Sequence, residues 1–270
     1  MNGRIQPYGA SVAPPTELCN IGGRVVPHQG RIGRVVDSGP VCRLGSIDAI
    51  VLDVDGTLYR QGPVRRQMAL RLAAACVTQP LRTRRAVRAI RAFRDNLETI
   101  RTRLQENVDH PAQQLQRTAE QTGMSEELIQ SLIEEWMFKR PLALIGSYPR
   151  KGLHKFLGRA LQRGIRLGVF SEYPSEDKLQ CLGVRDPFSV VVSSCDPEVR
   201  RFKPNPAGFL YAARQLGSRP ETTLVIGDRD DADGAGARAA GMRYVEIGGR
   251  EFPSFVPLCR YLFENEPTSS

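Results

Sequence analysis

The 270-residue sequence predicts an α/β protein, an open and doubly wound parallel sheet with an inserted helical segment. Two patterns carry that expectation. From Gly146 onward short apolar runs alternate with amphipathic stretches, as they do when helices cover both faces of a parallel sheet. Residues 61–145 instead read as helical throughout, and they interrupt the chain between one apolar run, Ile47–Leu52, and the alternating part. A third observation concerns function. Polar side chains follow three of the expected strands: Asp53 with Asp55, then Ser171, then Asp228. In an open α/β sheet ligands bind beyond the carboxyl ends of the strands, so these groups should converge on one crevice.

Taken in order, residues 1–46 are rich in Gly, Pro and Arg and are expected to form a flexible N-terminal leader. Ile47–Leu52 is apolar and stops at Asp53-Val54-Asp55-Gly56-Thr57, as a buried parallel strand entering a polar Gly loop would. In the helical segment Val87, Ile90, Leu97, Ile100 and Leu104 recur at three-, four- and seven-residue intervals and define an apolar stripe among arginines. Ser125 is the expected N-cap of a further helix whose apolar side carries Leu128, Ile129, Leu132, Ile133 and Trp136, with Pro141 ending it. Helices are then expected over 151–163, 175–182, 206–216 and 234–240, and strands over 165–170, 188–193, 223–226 and 242–247. A C-terminal helix and tail fill 251–270.

Composition excludes several classes. Six scattered cysteines without a CxxC pair do not make a disulfide framework, and three distant histidines give no basis for a zinc site or a Ser-His-Asp triad. The first 18 residues lack a continuous apolar stretch and no run approaches the ~20 apolar residues that span a bilayer, so a cytoplasmic protein is expected. The net charge of +9 is local: residues 60–103 hold twelve arginines against Asp95 and Glu98, and the remainder is close to neutral. Such a segment reads as solvated helix faces, as an attractor for an anionic substrate, or as a nucleic-acid surface. The absence of interleaved aromatic residues argues against the last.

Asp53 and Asp55 sit at i and i+2 at a strand end and so project to one side. Crowded carboxylates repel unless a cation lies among them or one is protonated, which suits a nucleophile beside a proton donor. A strand-end turn with two solvated aspartates has the same sequence. Lys203 lies in Arg201-Phe202-Lys203-Pro204-Asn205-Pro206, where two prolines stiffen the loop and present a point charge to an anion. Asp228 and Asp233 flank a further acidic loop and offer the hard oxygens that Mg2+ prefers.

The ordered set Asp53-Val54-Asp55-Gly56-Thr57-Leu58-Tyr59, Ser171, Lys203-Pro204-Asn205-Pro206 and Gly227-Asp228-Arg229-Asp230-Asp231-Ala232-Asp233 resembles the four motifs of the haloacid dehalogenase superfamily over residues 47 to about 250. The helical insert resembles the cap of the phosphoglycolate-phosphatase-like branch. The resemblance implies a Rossmann-like catalytic core from 47–60 and 146–250, with 61–145 as cap. It implies Asp53 as the nucleophile that forms an aspartyl-phosphate and Asp55 as the acid that protonates the leaving alcohol and then activates water. Mg2+ would be held by Asp53, Asp228, the backbone carbonyl of Asp55 and, directly or through water, Asp233. Ser171 and Lys203 would bind the transferring phosphoryl group of a small phosphorylated metabolite. Arg60, next to the first motif, is the cap arginine expected nearest the substrate. Alternatives are a β-phosphoglucomutase-like sugar phosphomutase and a catalytically inactive binding protein of the same fold. The sequence sets neither the substrate nor the oligomeric state.

Overall fold

A computed structural model describes residues 47–103 and 108–264. The expectations for residues 1–46, for Leu104 and for the tail after residue 264 lie outside the described residues. Five parallel strands, β1 (Ala49–Leu52), β2 (Arg166–Ser171), β3 (Val190–Ser193), β4 (Thr223–Gly227) and β5 (Arg243–Glu246), form a sheet in the order β3-β2-β1-β4-β5. β1 is central, with Leu52 level with Val169 of β2 and Ile226 of β4. The ends of these three strands therefore lie side by side.

Alternation along the strands assigns the two faces. Ile50, Leu52, Leu167, Val169, Leu224 and Ile226 point to one layer, which contains α6 (Leu153–Gln162), α7 (Glu176–Cys181) and α10 (Phe255–Phe263), with the Phe156 ring packed at a tilt against those of Phe255 and Phe263. Ala49, Val51, Phe170, Val192 and Val225 point to the other, against α8 (Ala207–Gln215) and α9 (Ala235–Ala239). Both faces are covered, and each fully buried Leu, Ile, Val or Phe contributes about 1.5–3 kcal/mol.

The helical segment leaves the sheet after β1 and returns before α6 through a short neck. The Arg60 N–H donates to the Tyr148 carbonyl (2.9 Å), and the Arg150 N–H to that of Leu58 (2.9 Å). Beyond the neck run α1 (Gln61–Thr78), α2 (Pro80–Arg103), α3 (His110–Thr122), α4 (Glu126–Ile133) and α5 (Arg140–Ile145). Ser125 caps α4, its Oγ accepting from the Leu128 N–H.

Two expectations are corrected here. Pro141 does not end the helix that starts at Glu126. A π-helical turn, Glu134–Lys139, carries it into α5, and Pro141 sits in the first turn of that segment. The buried side of α2 is also not the expected stripe. Of the expected residues Ile100 is buried and Ile90 and Leu97 are half-buried, but Val87 is exposed, and the rest of the buried side is Thr83, Ala86, Ala89, Ala92, Phe93 and Asn96. Small side chains let neighbouring helices approach closely. The α2–α3 contact is polar as well, with Asn96 Nδ2 donating to Gln121 Oε1 (3.0 Å) and Gln114 Nε2 to the Phe93 carbonyl (2.7 Å).

Candidate active site

Asp53, one residue beyond β1, is anchored through its N–H to the Ile226 carbonyl (2.9 Å) and is almost fully buried. Lys203 meets it from the loop before α8. The ammonium donates to Asp53 Oδ1 (2.6 Å), pairs with Asp233 Oδ1 (2.7 Å), and lies over the rings of Phe170 and Phe209 at 5.1 and 5.6 Å. Burial would discharge this lysine, but the attraction of Asp233, Asp53 and Glu172 outweighs it and holds the amine protonated. Burial pushes the Asp53 carboxyl up to about 7, against the pull of Lys203 and with the repulsion of Asp233 and Glu172.

Asp228 follows β4 and faces Asp53. Burial and then the Asp53 charge push its carboxyl up to about 7. Asp233, one π-helical turn on (Asp230–Gly234), is raised chiefly by burial. Two glycines make room for these groups. Gly56 has φ = +97°, and a Cβ there would overlap the Asp228 carboxylate; a Cβ on Gly227 would overlap that of Asp233. Asp53, Asp228 and Asp233 can each offer an oxygen such that all three lie within 4.8 Å of one another. Lys203 alone undercompensates them, so a divalent cation would relieve the repulsion. A donor set of carboxylates alone suits Mg2+. The residues fit the metal expected from the sequence.

Asp55 occupies the crevice beside this cluster. Lys178 Nζ donates to its Oδ2 (2.6 Å) and the Tyr59 hydroxyl to its Oδ1. Burial raises the Asp55 carboxyl, but Lys178 and then Tyr59 more than reverse this and hold it below the ordinary carboxylate range. Tyr59 closes the first motif, which assigned it no role, and Lys178 carries no local signal in α7. Ser171, at the end of β2, is buried, and its Oγ has no hydrogen-bond partner among the described residues, as a hydroxyl reserved for a ligand oxygen would be. Arg150, also missed, donates to the Thr57 carbonyl (2.9 Å) and to the Gly56 carbonyl, and so fixes the loop that carries both aspartates.

Asp53, Asp55, Ser171, Lys203, Asp228 and Asp233 are thus brought together at the ends of β1, β2 and β4. Arg60 is not. It is exposed, outside the cavity, with its guanidinium 5.9 Å from the centre of the Tyr148 ring, because the neck turns it away from the crevice. The cavity has a volume of about 580 Å³ and extends from Asp53 and Asp55 to α1 and α2, whose Arg65, Arg94 and Arg101 line it. Arg101 pairs with Glu172, the residue after Ser171, and with Glu98 (2.8 Å); Arg229 pairs with Glu98 (2.9 Å) and Asp231 (2.6 Å). These ion pairs tie the helical segment to the loops that follow β2 and β4.

A parallel α/β sheet with carboxylates and a buried lysine at its strand ends defines a hydrolase-like class. The model of the haloacid dehalogenase-like hydrolase family matches residues 47–241, and the chain belongs to that family. It is 37% identical over 99 residues to a glyceraldehyde 3-phosphate phosphatase of Methanopyrus kandleri, a match that covers 36% of this chain and 42% of that protein. It is 27% identical over 217 residues to the N-acetylmuramic acid 6-phosphate phosphatase of Pseudomonas aeruginosa, covering 77% and 87%. Among solved structures, a 2-haloacid dehalogenase from Pseudomonas syringae pv. Tomato shares the fold with a TM-score of 0.50 and 23% identity, over 75% of this chain and 86% of that one. Among the described residues no helix is long and apolar enough to cross a membrane.

Proposed function

We propose that this chain is a Mg2+-dependent phosphatase that hydrolyses a small phosphorylated metabolite through an aspartyl-phosphate. The observation that carries the reading is Asp53, dry and bound by Lys203, with Asp55 beside it in the same crevice. The names of the two curated relatives, both phosphatases of small phosphorylated compounds, point the same way. Residues 47–60 and 146–250 would serve as catalytic core and 61–145 as cap. Four cysteines, 76, 181, 195 and 259, are free, in keeping with action in the reducing cytoplasm.

In this reading Asp53, Asp228 and Asp233, with the Asp55 carbonyl that the family resemblance implies, would hold Mg2+, and the ion would supply neutralisation of phosphoryl charge. Ser171 Oγ and Lys203 Nζ bind the phosphoryl oxygens. An Asp53 carboxylate oxygen attacks phosphorus, the ester P–O bond breaks, and the leaving oxygen takes the proton of Asp55. Lys178 and Tyr59 disfavour that proton in the resting site. A phosphate dianion beside Asp55 raises its proton affinity and competes for Lys178, so substrate charge prepares the acid. Once the alcohol leaves, Asp55 is the base that Lys178 and Tyr59 stabilise. It takes a proton from water, whose oxygen attacks phosphorus and frees phosphate and Asp53. Positioning and charge neutralisation carry most of such a transfer.

Phosphate release from an aryl phosphate with Mg2+ tests the reading. Turnover that disappears in Asp53→Asn is expected, and turnover unchanged in that variant overturns it.

A further inference from the structure

The start of α3 reaches across to the loop that carries Lys203. His110, the first residue of α3, is 2% exposed, and its Nδ1 accepts from the N–H of Phe202, the residue before Lys203 (3.0 Å). The backbone beside this bond is joined too. The His110 N–H donates to the Arg200 carbonyl (3.1 Å), Arg201 Nη1 donates to the Val108 carbonyl (2.6 Å), and Asp109 pairs with the Arg200 guanidinium (3.5 Å). Arg200 has φ = +49°, a left-handed conformation that is costly for a residue with a Cβ and persists where its surroundings impose it. Residues 108–110 supply those surroundings. Phe202 is buried, and its carbonyl accepts from the Asn205 N–H (3.0 Å), so the peptides on both sides of it are fixed.

We infer that His110 is a positioning residue for Lys203: through the Phe202 N–H, the helical segment sets where the phosphate-binding ammonium stands. This rests on the phosphatase reading above and gives the segment a part in the chemistry. Lys203 meets Asp53 at 2.6 Å and Asp233 at 2.7 Å, and a displacement of about 1 Å would carry it out of hydrogen-bond range of either. His110 does not line the cavity, so its effect passes through the lysine. Without its acceptor the buried Phe202 N–H would lack a partner, and the loop would shift to find one. A ring nitrogen that accepts carries no proton, so His110 is neutral, with its hydrogen on Nε2.

The test compares three variants of the full chain in steady-state hydrolysis of an aryl phosphate with Mg2+, each beside its melting temperature. His110→Leu fills the space without an acceptor. His110→Asn sets a carbonyl oxygen close to the place of Nδ1. Asn96→Leu removes a buried polar contact between α2 and α3, away from the Lys203 loop. His110→Leu is expected to lower kcat by about 10- to 10²-fold, the loss that a misplacement of about 1 Å brings, with KM within about threefold. His110→Asn is expected to recover most of that loss. Asn96→Leu is expected to lower the melting temperature comparably and to keep kcat, because it disturbs the fold and not the lysine. Nitrogen NMR of the isotope-labelled full chain gives a readout besides activity. The His110 signal, assigned by its loss in His110→Asn, is expected to show a neutral ring with the proton on Nε2. A His110→Leu variant with unchanged kcat, a His110→Asn variant as slow as His110→Leu, an equal loss in Asn96→Leu, or a proton on Nδ1 refutes the inference and leaves the phosphatase reading standing. No phosphate release by the unsubstituted chain refutes both.

Discussion

The two walls of the cavity are built on opposite terms. On the sheet side charges are largely buried and held in ion pairs and hydrogen bonds: Lys203 between Asp53 and Asp233, Asp55 between Lys178 and Tyr59. On the helical side Arg101 is largely buried and paired with Glu172, whereas Arg65 and Arg94 are exposed and make no hydrogen bond or ion pair among the described residues. The first wall is preorganised for one chemistry. The second leaves part of its charge in solvent. Paired buried groups are intolerant of change, whereas unpaired exposed ones alter selectivity at little cost to the fold.

Substitutions on each side test that contrast. The largest loss is expected from Lys203→Met, which strands Asp53 and Asp233 without their buried cation. It should cost about 3–5 kcal/mol in denaturant unfolding without added metal, and abolish turnover. Mg2+ should recover part of the stability but none of the activity. Chelation of the metal from the unsubstituted chain should stop phosphate release while the chain stays folded, because Lys203 still bridges the carboxylates. Restoration by Mg2+ but not by Na+ sharpens the assignment, and activity that survives exhaustive chelation breaks it. Lys178→Met removes the ammonium from Asp55 and should lower kcat by about 10²-fold, with KM less affected. A KM effect alone would make Lys178 a substrate contact. The smallest of these effects belongs to Arg101→Gln, where the pair with Glu172 links helix to sheet. A loss of about 2 kcal/mol is expected, seen as a lower melting temperature, with kcat within about threefold.

The sheet and its chemistry were legible because local signals and global architecture agree there. β1 to β4 are short, mainly apolar runs that stop at a polar or Gly turn, and the ends of β1, β2 and β4 carry Asp53, Ser171 and Asp228. The helical segment was legible from α4 to Trp136, where Ser125 is the cap and Ile129, Leu132, Ile133 and Trp136 are buried as expected, and much less so in α2. Its buried face uses alanines and polar residues, which hydrophobic periodicity does not register, so Val87 was expected inside and Ala86 was not. Pro141 misled because a π-helical turn is a tertiary outcome. Arg60 misled because proximity in sequence to Asp55 is not proximity in space once the neck has formed. Lys178 escaped notice because its role comes from tertiary packing that brings α7 to Asp55, 123 residues away.

The central claim is that the Asp53 carboxylate becomes covalently phosphorylated. The direct measurement is acid quenching during turnover of a phosphate ester with Mg2+, followed by peptide mass spectrometry. The account predicts one added phosphoryl group on the peptide containing Asp53, absent from Asp53→Asn and released on longer incubation. Full turnover with no phosphorylated Asp53 peptide at any quench time, or a phosphoryl group on another residue, would contradict it.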